Sequence, residues 1–290
     1  MAKLRQVSVV GMGLLGASIT LAISRIAPSI RTVGFAHRAS TRKKARQLEV
    51  AQEVTGDLKT CMADADLIIL ATPICLFESL FLEIRKYGKP GVIVTDVGST
   101  KRIPHQWADA ILGKTMTYVG SHPIAGSEKQ GVEYARDDLF DRARCIITQT
   151  KKTNFISIHI VSDFWQSIGC IVEVMSPIQH DRILCNISHL PHAMAASLVN
   201  ATDSDELRFC GKGFIDTSRV ASGPENIWAD IFLTNCQNTI CGIDRLIREL
   251  KRFQSAVKSG DRKKLERFLS AARQKRAMMI EQKVKNKELL

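Results

Sequence analysis

Residues 6–16 limit what this chain can fold into more than any other stretch. Gln6-Val7-Ser8-Val9-Val10 is an apolar run of strand length, and Gly11-Met12-Gly13-Leu14-Leu15-Gly16 follows it directly. An apolar helical period then runs from Leu14 to about Ile26, and Pro28 stops it. The spacing G-x-G-x-x-G between a strand and a helix suits the pyrophosphate of a dinucleotide. Gly11 permits the tight turn, Gly13 lets the backbone approach the phosphates, and Gly16 lets the helix close on the strand. The first helical turn, with Leu14, Leu15 and Gly16, then offers its free N–H groups to the anion. A glycine turn without a ligand would not need that flanking context.

The end of the second strand separates the two common dinucleotides. An acid there binds the ribose 2′-hydroxyl of NAD. This chain has Phe35-Ala36-His37-Arg38, with Ser40, Thr41 and Arg42 close behind, and no acid. His37 and Arg38 are placed to hold a 2′-phosphate, which favours NADP over NAD. The competing reading makes Arg38 and Arg42 solvated charges at a helix start. Thr72-Pro73 and the run Asp96–Lys101, which includes Ser99, each follow an apolar strand. They fall at carboxyl ends of strands, where open α/β sheets bind ligands.

Further strands are expected at Thr32–Ala36, Leu67–Ala71, Val92–Asp96, Tyr118–Gly120, Cys145–Thr148 and Cys170–Val174, with a helix over 153–167. Alternation with helices predicts a mainly parallel, doubly wound sheet. After Pro177 helical periods take over, at Ile178–Asn200, Ile227–Leu250 and Arg262–Val284. The 290 residues therefore divide into a dinucleotide-binding domain, 1–176, and an all-helical domain, 177–290. Leftover apolar faces on those helices predict a homodimer.

Composition excludes several classes. No apolar run approaches the ~20 residues of a membrane span, and no secretory leader is visible. The eight cysteines form no C-x-x-C pair, so neither a zinc site nor a disulfide framework is expected. A reducing, cytoplasmic setting fits them. The net charge of +12 gathers at Arg42–Arg46 and over 245–287, while aromatics are only 6%. Without aromatic and basic residues interleaved, nucleic acid is not the expected partner; a small anionic substrate is.

The most specific segments come later. Gly120-Ser121-His122-Pro123-Ile124-Ala125-Gly126-Ser127-Glu128-Lys129-Gln130-Gly131 reads as a glycine-bracketed loop just after a strand. Ser188-His189-Leu190-Pro191-His192 lies on a helical stretch, and Gly211–Arg219 precedes Trp228-Ala229-Asp230. Taken in this order, these motifs resemble the prephenate/arogenate dehydrogenases of tyrosine biosynthesis, from the glycine loop to about Asn235.

The resemblance implies a Rossmann domain followed by a helical dimerisation domain. It implies oxidative decarboxylation of prephenate, or of arogenate, with NADP or NAD. By matched position, His122 is the catalytic base that takes the proton of the ring hydroxyl, and Ser99 orients it. Arg219 and His192 bind substrate, Ser127, Glu128 and Lys129 belong to a loop shaping the pocket, and Trp228 is a wall. His192 leans the choice toward prephenate. Ile215 stands where some members carry a basic residue, with Lys212 the nearest base on the N-terminal side. His189 reads as a satisfied helix histidine, and His180-Asp181 as a helix-start pair without a catalytic role. A β-hydroxyacid or imine reductase on the same plan would use a helix lysine in the second domain, and the His122 and Arg219 segments count against it. A non-catalytic dinucleotide sensor or nucleic-acid binder would not need Ser99, His122 and Arg219 together.

Overall fold

A computed structural model describes residues 4–125 and 129–285. The chain forms two compact units, Met1–Asn238 and Thr239–Leu290. The first opens with β1 (Gln6–Val10), α1 (Leu14–Ile26), β2 (Arg31–Phe35), α2 (Ala39–Gln47), β3 (Glu53–Thr55), α3 (Leu58–Met62), β4 (Leu67–Leu70), α4 (Phe77–Tyr87), β5 (Ile93–Asp96), α5 (Arg102–Ile111) and β6 (Thr117–Tyr118). The six strands pair in parallel in the order β3-β2-β1-β4-β5-β6. This is the Rossmann order, and its direction reverses between β1 and β4.

Alternation along each strand explains why the sheet is covered on both faces. Val7, Val9, Leu67 and Ile69 join Ile19 and Ile23 of α1 in one core. Val10, Ile68 and Leu70 join Phe77, Phe81 and Ile84 of α4 in the other. Each fully buried side chain of this kind contributes ~1.5–3 kcal/mol, so both layers are firmly fixed. The three-residue β3 was not expected. Only Val54 of that strand is buried, which leaves no alternating pattern to read.

The expected strand Tyr118–Gly120 divides in two. β6 stays in the parallel sheet, and after Val119 the chain enters a second sheet as β7 (Gly120–Pro123). β7 pairs antiparallel with β8 (Arg144–Thr148), which pairs in parallel with β9 (Ile171–Met175). α6 (Phe155–Ser167) joins β8 to β9. A Cβ at Gly120 would lie 2.4 Å from Thr148 Oγ1 and 2.9 Å from Lys101 Cδ, so the crossing requires glycine. The segment expected to be loop from Gly120 therefore begins as a strand, and His122 stands on it.

Helices follow: α7 (Pro177–Leu184), α8 (Leu190–Asn200), α9 (Ser204–Leu207), α10 (Lys212–Ser218), α11 (Glu225–Thr234), α12 (Cys236–Lys258) and α13 (Arg262–Lys285). Ser176 Oγ accepts from Gln179 N at 3.2 Å and Pro177 opens the first turn, which sets the start of α7. The single helix expected over 178–200 is interrupted by a π-helical turn, Cys185–His189. Pro191 has no N–H for the Ile187 carbonyl, so a regular turn would lose that bond. The period expected over 227–250 breaks at Asn235, whose φ of −120° and ψ of 29° leave the helical region.

In the second unit, Gly260 turns the chain at φ +62° between α12 and α13. The Phe253 and Phe268 rings meet at 5.3 Å across the resulting hairpin. Ile240, Ile243, Ile247, Leu250 and Val257 remain exposed along α12. Among the described residues, no helix is long and apolar enough to cross a membrane.

Candidate active site

A cavity of about 620 Å³ opens beyond the carboxyl ends of β1, β2 and β4. It is lined by Gly11, Gly13, Ala36, His37, Arg38, Ser40, Thr41, Lys44, Thr72 and Pro73, and from the far side by Gln130–Glu133. Gly11 has φ +110°, and a Cβ there would sit 2.4 Å from the Ala71 carbonyl oxygen. A Cβ on Gly13 would meet nothing within 4 Å, so that backbone faces open space. These are the requirements of a turn that a pyrophosphate approaches closely. Gly16 lies behind the cavity, where a Cβ would stand 1.9 Å from the Gly11 oxygen. The Leu15 side chain packs on the core and Leu14 is half-buried. What Leu14, Leu15 and Gly16 present is the unpaired N–H groups of the α1 start.

The cations after β2 are not equivalent. Arg42 donates to the Ala36 and His37 carbonyls at 2.9 and 2.7 Å, and Arg46 donates to Val54 O at 2.6 Å. Both hold backbone. His37, Arg38 and Lys44 line the cavity.

The histidine of β7 stands at the head of a proton line. His122 Nδ1 lies 2.9 Å from His180 Nε2, and His180 Nδ1 lies 2.8 Å from Asp181 Oδ1. Asp181 also accepts from Lys101 N at 2.8 Å and Arg102 N at 2.9 Å, at the start of α5. A carboxylate can only accept, so His180 carries its proton on Nδ1 and accepts at Nε2. His122 then donates from Nδ1, and its Nε2 keeps a free lone pair. Burial pushes His122 well below its ordinary pKa, aided by His180 and Lys101, and pushes His180 down to about 2. Both are neutral near pH 7. Burial also raises the Asp181 carboxyl, against the pull of the Arg102 and Lys101 N–H groups. The pair His180-Asp181, read as a plain helix start, is thus part of the site; adjacency in sequence gave no sign of the partner on β7.

Beneath the line lies a polar knot. Asp96 pairs with Lys101 Nζ, and both side chains are fully buried. Asp96 also accepts from Tyr118 OH at 2.8 Å, Gly98 N at 2.8 Å and Ser121 N at 2.9 Å. One carboxylate therefore fixes the Ser99 loop and the strand of His122 together. The Ser99 side chain is half-buried and bonds no described residue. Lys101, in a segment expected at the ligand edge, is structural.

The third cluster comes from α8 and α11. The His192 and Trp228 rings stack at 3.6 Å, 15° from parallel. His192 is buried, and its Nδ1 has no partner among the described residues. The ring also meets the backbone of Val220, the neighbour of Arg219, which is exposed at the start of a short 3₁₀ turn. Asn235 Nδ2 donates to Asp181 O at 2.8 Å and to His189 Nδ1 at 3.1 Å. His189 must then carry its proton on Nε2, which is buried without a described partner. It is not the satisfied histidine expected; burial pushes its pKa down to about 4. Lys129 lies over the Tyr134 ring at 5.0 Å. Ser127 and Glu128 fall outside the described residues.

A glycine turn open to a pyrophosphate at the switch point of a Rossmann sheet, on a chain that also buries a neutral histidine on β7, fits a nicotinamide-dependent dehydrogenase. Residues 19–174 match the family model "Prephenate dehydrogenase, nucleotide-binding domain", and residues 176–271 match "Prephenate dehydrogenase, dimerization domain". The chain belongs to the prephenate dehydrogenase family. A prephenate dehydrogenase of Bacillus subtilis (strain 168) is 33% identical over 91% of this chain and 73% of its own length. A cyclohexadienyl dehydrogenase of Zymomonas mobilis is 29% identical over 90% of this chain and 91% of its own. The solved prephenate dehydrogenase from A. aeolicus, in complex with hydroxyphenyl propionate and NAD+, superposes with a TM-score of 0.89 at 30% identity. That match covers 95% of this chain and 98% of the other.

Proposed function

We propose that this dehydrogenase oxidises and decarboxylates prephenate to 4-hydroxyphenylpyruvate, with His122 as the base. The observation that carries this reading is the line Asp181–His180–His122, which leaves His122 Nε2 unprotonated near pH 7. The glycine turn would hold the pyrophosphate of a dinucleotide, whose nicotinamide would supply the hydride acceptor. His122 Nε2 takes the ring-hydroxyl proton as hydride leaves C4. The C4 oxygen becomes a carbonyl, the ring carboxylate departs as CO2, and its electron pair completes the aromatic ring. His122 returns the proton to the phenolate. Ser99 orients the hydroxyl. The buried Nε2–H of His189 donates to a substrate oxygen, as an unpartnered buried donor requires. His192, backed by Trp228, contacts the side chain, and the Arg219 guanidinium takes a carboxylate. Ser127, Glu128 and Lys129 are assigned to the substrate by the resemblance alone.

The same reading assigns NADP as the favoured cofactor, because His37, Arg38 and Lys44 line the cavity and no acid ends β2. The exposed stripe on α12, within the stretch matching a dimerization domain, supports a homodimer. The division near Ser176-Pro177 is retained as a functional boundary, and free thiols at all eight cysteines fit a cytoplasmic enzyme. Steady-state kinetics with prephenate and arogenate, each against NADP+ and NAD+, test the proposal. Turnover is expected, with prephenate and NADP+ the better pair. No reduction of either cofactor with either substrate would sink it.

A further inference from the structure

The cavity contains an ion pair of its own. Lys44 Nζ on α2 lies 3.1 Å from Glu133 Oε1, and both residues line the cavity beside His37 and Arg38. Ser40, Thr41 and Lys44 lie one helical turn apart and face the same space. Glu133 reaches it from the 3₁₀ turn Val132–Tyr134. The preceding Gly131 has φ +110°, and a Cβ there would stand 2.5 Å from Glu133 Oε2. Glycine is therefore needed for the carboxylate to fold back as it does. The backbone N–H of Glu133 and then Lys44 hold that carboxyl below the usual range. With Arg42 and Arg46 committed to backbone carbonyls, Lys44 is a cation of α2 that a ligand can take over from a side-chain partner.

We propose that Lys44 and Glu133 form a split specificity pair for the adenosine ribose. Glu133 accepts the 2′-hydroxyl of NAD, in place of the acid missing at the end of β2. Lys44 receives the 2′-phosphate of NADP. The two uses oppose each other, since a phosphate dianion at Lys44 meets the Glu133 carboxylate, and a hydroxyl leaves the ion pair whole. The chain thus accepts both dinucleotides and tunes their ratio from two elements. This rests on the dinucleotide reading of the cavity.

Isothermal titration of NADP+ and NAD+ into the full-length protein tests the pair, with K44A, E133Q and the exposed K43A as variants. K44A should weaken NADP+ about 10-fold and leave NAD+ within about twofold. E133Q should weaken NAD+ about fivefold and tighten NADP+. K43A should change neither. Equal changes for both dinucleotides in K44A, or none in either variant, overturn the pair. The wild-type ratio reports separately. A protein that prefers NAD+ yet loses that preference in E133Q keeps the pair and refutes the NADP preference. A wild type binding neither dinucleotide overturns both.

Discussion

His122 depends on two residues that lie about sixty positions away in sequence. The free lone pair on Nε2 exists only while Asp181 forces the tautomer of His180. His122→Asn should therefore lower kcat by about 10²–10⁴-fold with cofactor affinity unchanged. His180→Phe keeps a ring of similar size but removes the acceptor at Nδ1 of His122. It should lower kcat severalfold or more, leave cofactor affinity intact and alter the acid limb of the kcat/KM profile. In the wild type that limb is expected below the ordinary imidazole range, since burial favours the neutral ring and the proposed base would fail only once protonated. A rate profile in H180F that matches the wild type at all pH values would remove His180 from its positioning role. The motif around His122 was legible from sequence because histidine, proline and glycines cluster there. His180 was not, because a histidine and an aspartate at a helix start also satisfy capping needs and carry no mark of a distant partner.

Elements show the same division. β1 and α1 are legible because an unbroken apolar strand meets glycines whose spacing has a steric cause, seen in the contacts at Gly11 and Gly16. β7 is not, because Gly120-Ser121-His122-Pro123 lacks the branched and aromatic residues that mark strands. Its position comes from tertiary bonds, chiefly Ser121 N to Asp96 and the Thr95–Ser121 hydroxyl contact at 2.6 Å. The Asp96–Lys101 pair anchors the Ser99 loop and β7, and removing one partner strands a buried charge. Lys101→Met should cost about 3–5 kcal/mol of stability. Urea unfolding should show it as a lower midpoint with the slope preserved. An unchanged midpoint would mean that Asp96 is held by its N–H and phenol donors alone.

Over the whole molecule, buried neutral histidines couple folding to acid. His105 and His189 are pushed down to about 4 and His180 to about 2 by burial. The unfolded chain protonates these rings near pH 6.5, and the folded chain does not. Stability is therefore full above that value and falls as pH drops from 6.5 toward 4. The slope is ~1.4 kcal/mol per pH unit for each proton withheld. The raised carboxyl of Asp181 offsets part of this at the acid end. Unfolding midpoints measured from pH 7.5 to 5 should decline steadily, and a flat profile would contradict the burial of these rings.

The π-helical turn at Cys185–His189 carries a consequence for how this helix can vary. It works as one surplus residue spliced into a helix, and each residue in a helix advances the face by ~100°. Deleting Ile187 would restore the regular α-helical pitch, although Pro191 would still leave one carbonyl without its N–H. It would also rotate His192 off Trp228 while leaving His180 in place. Selection for a smoother helix and selection for catalysis therefore pull in opposite directions at this point. Gaps and insertions should be rarer here than at the exposed turns on either side.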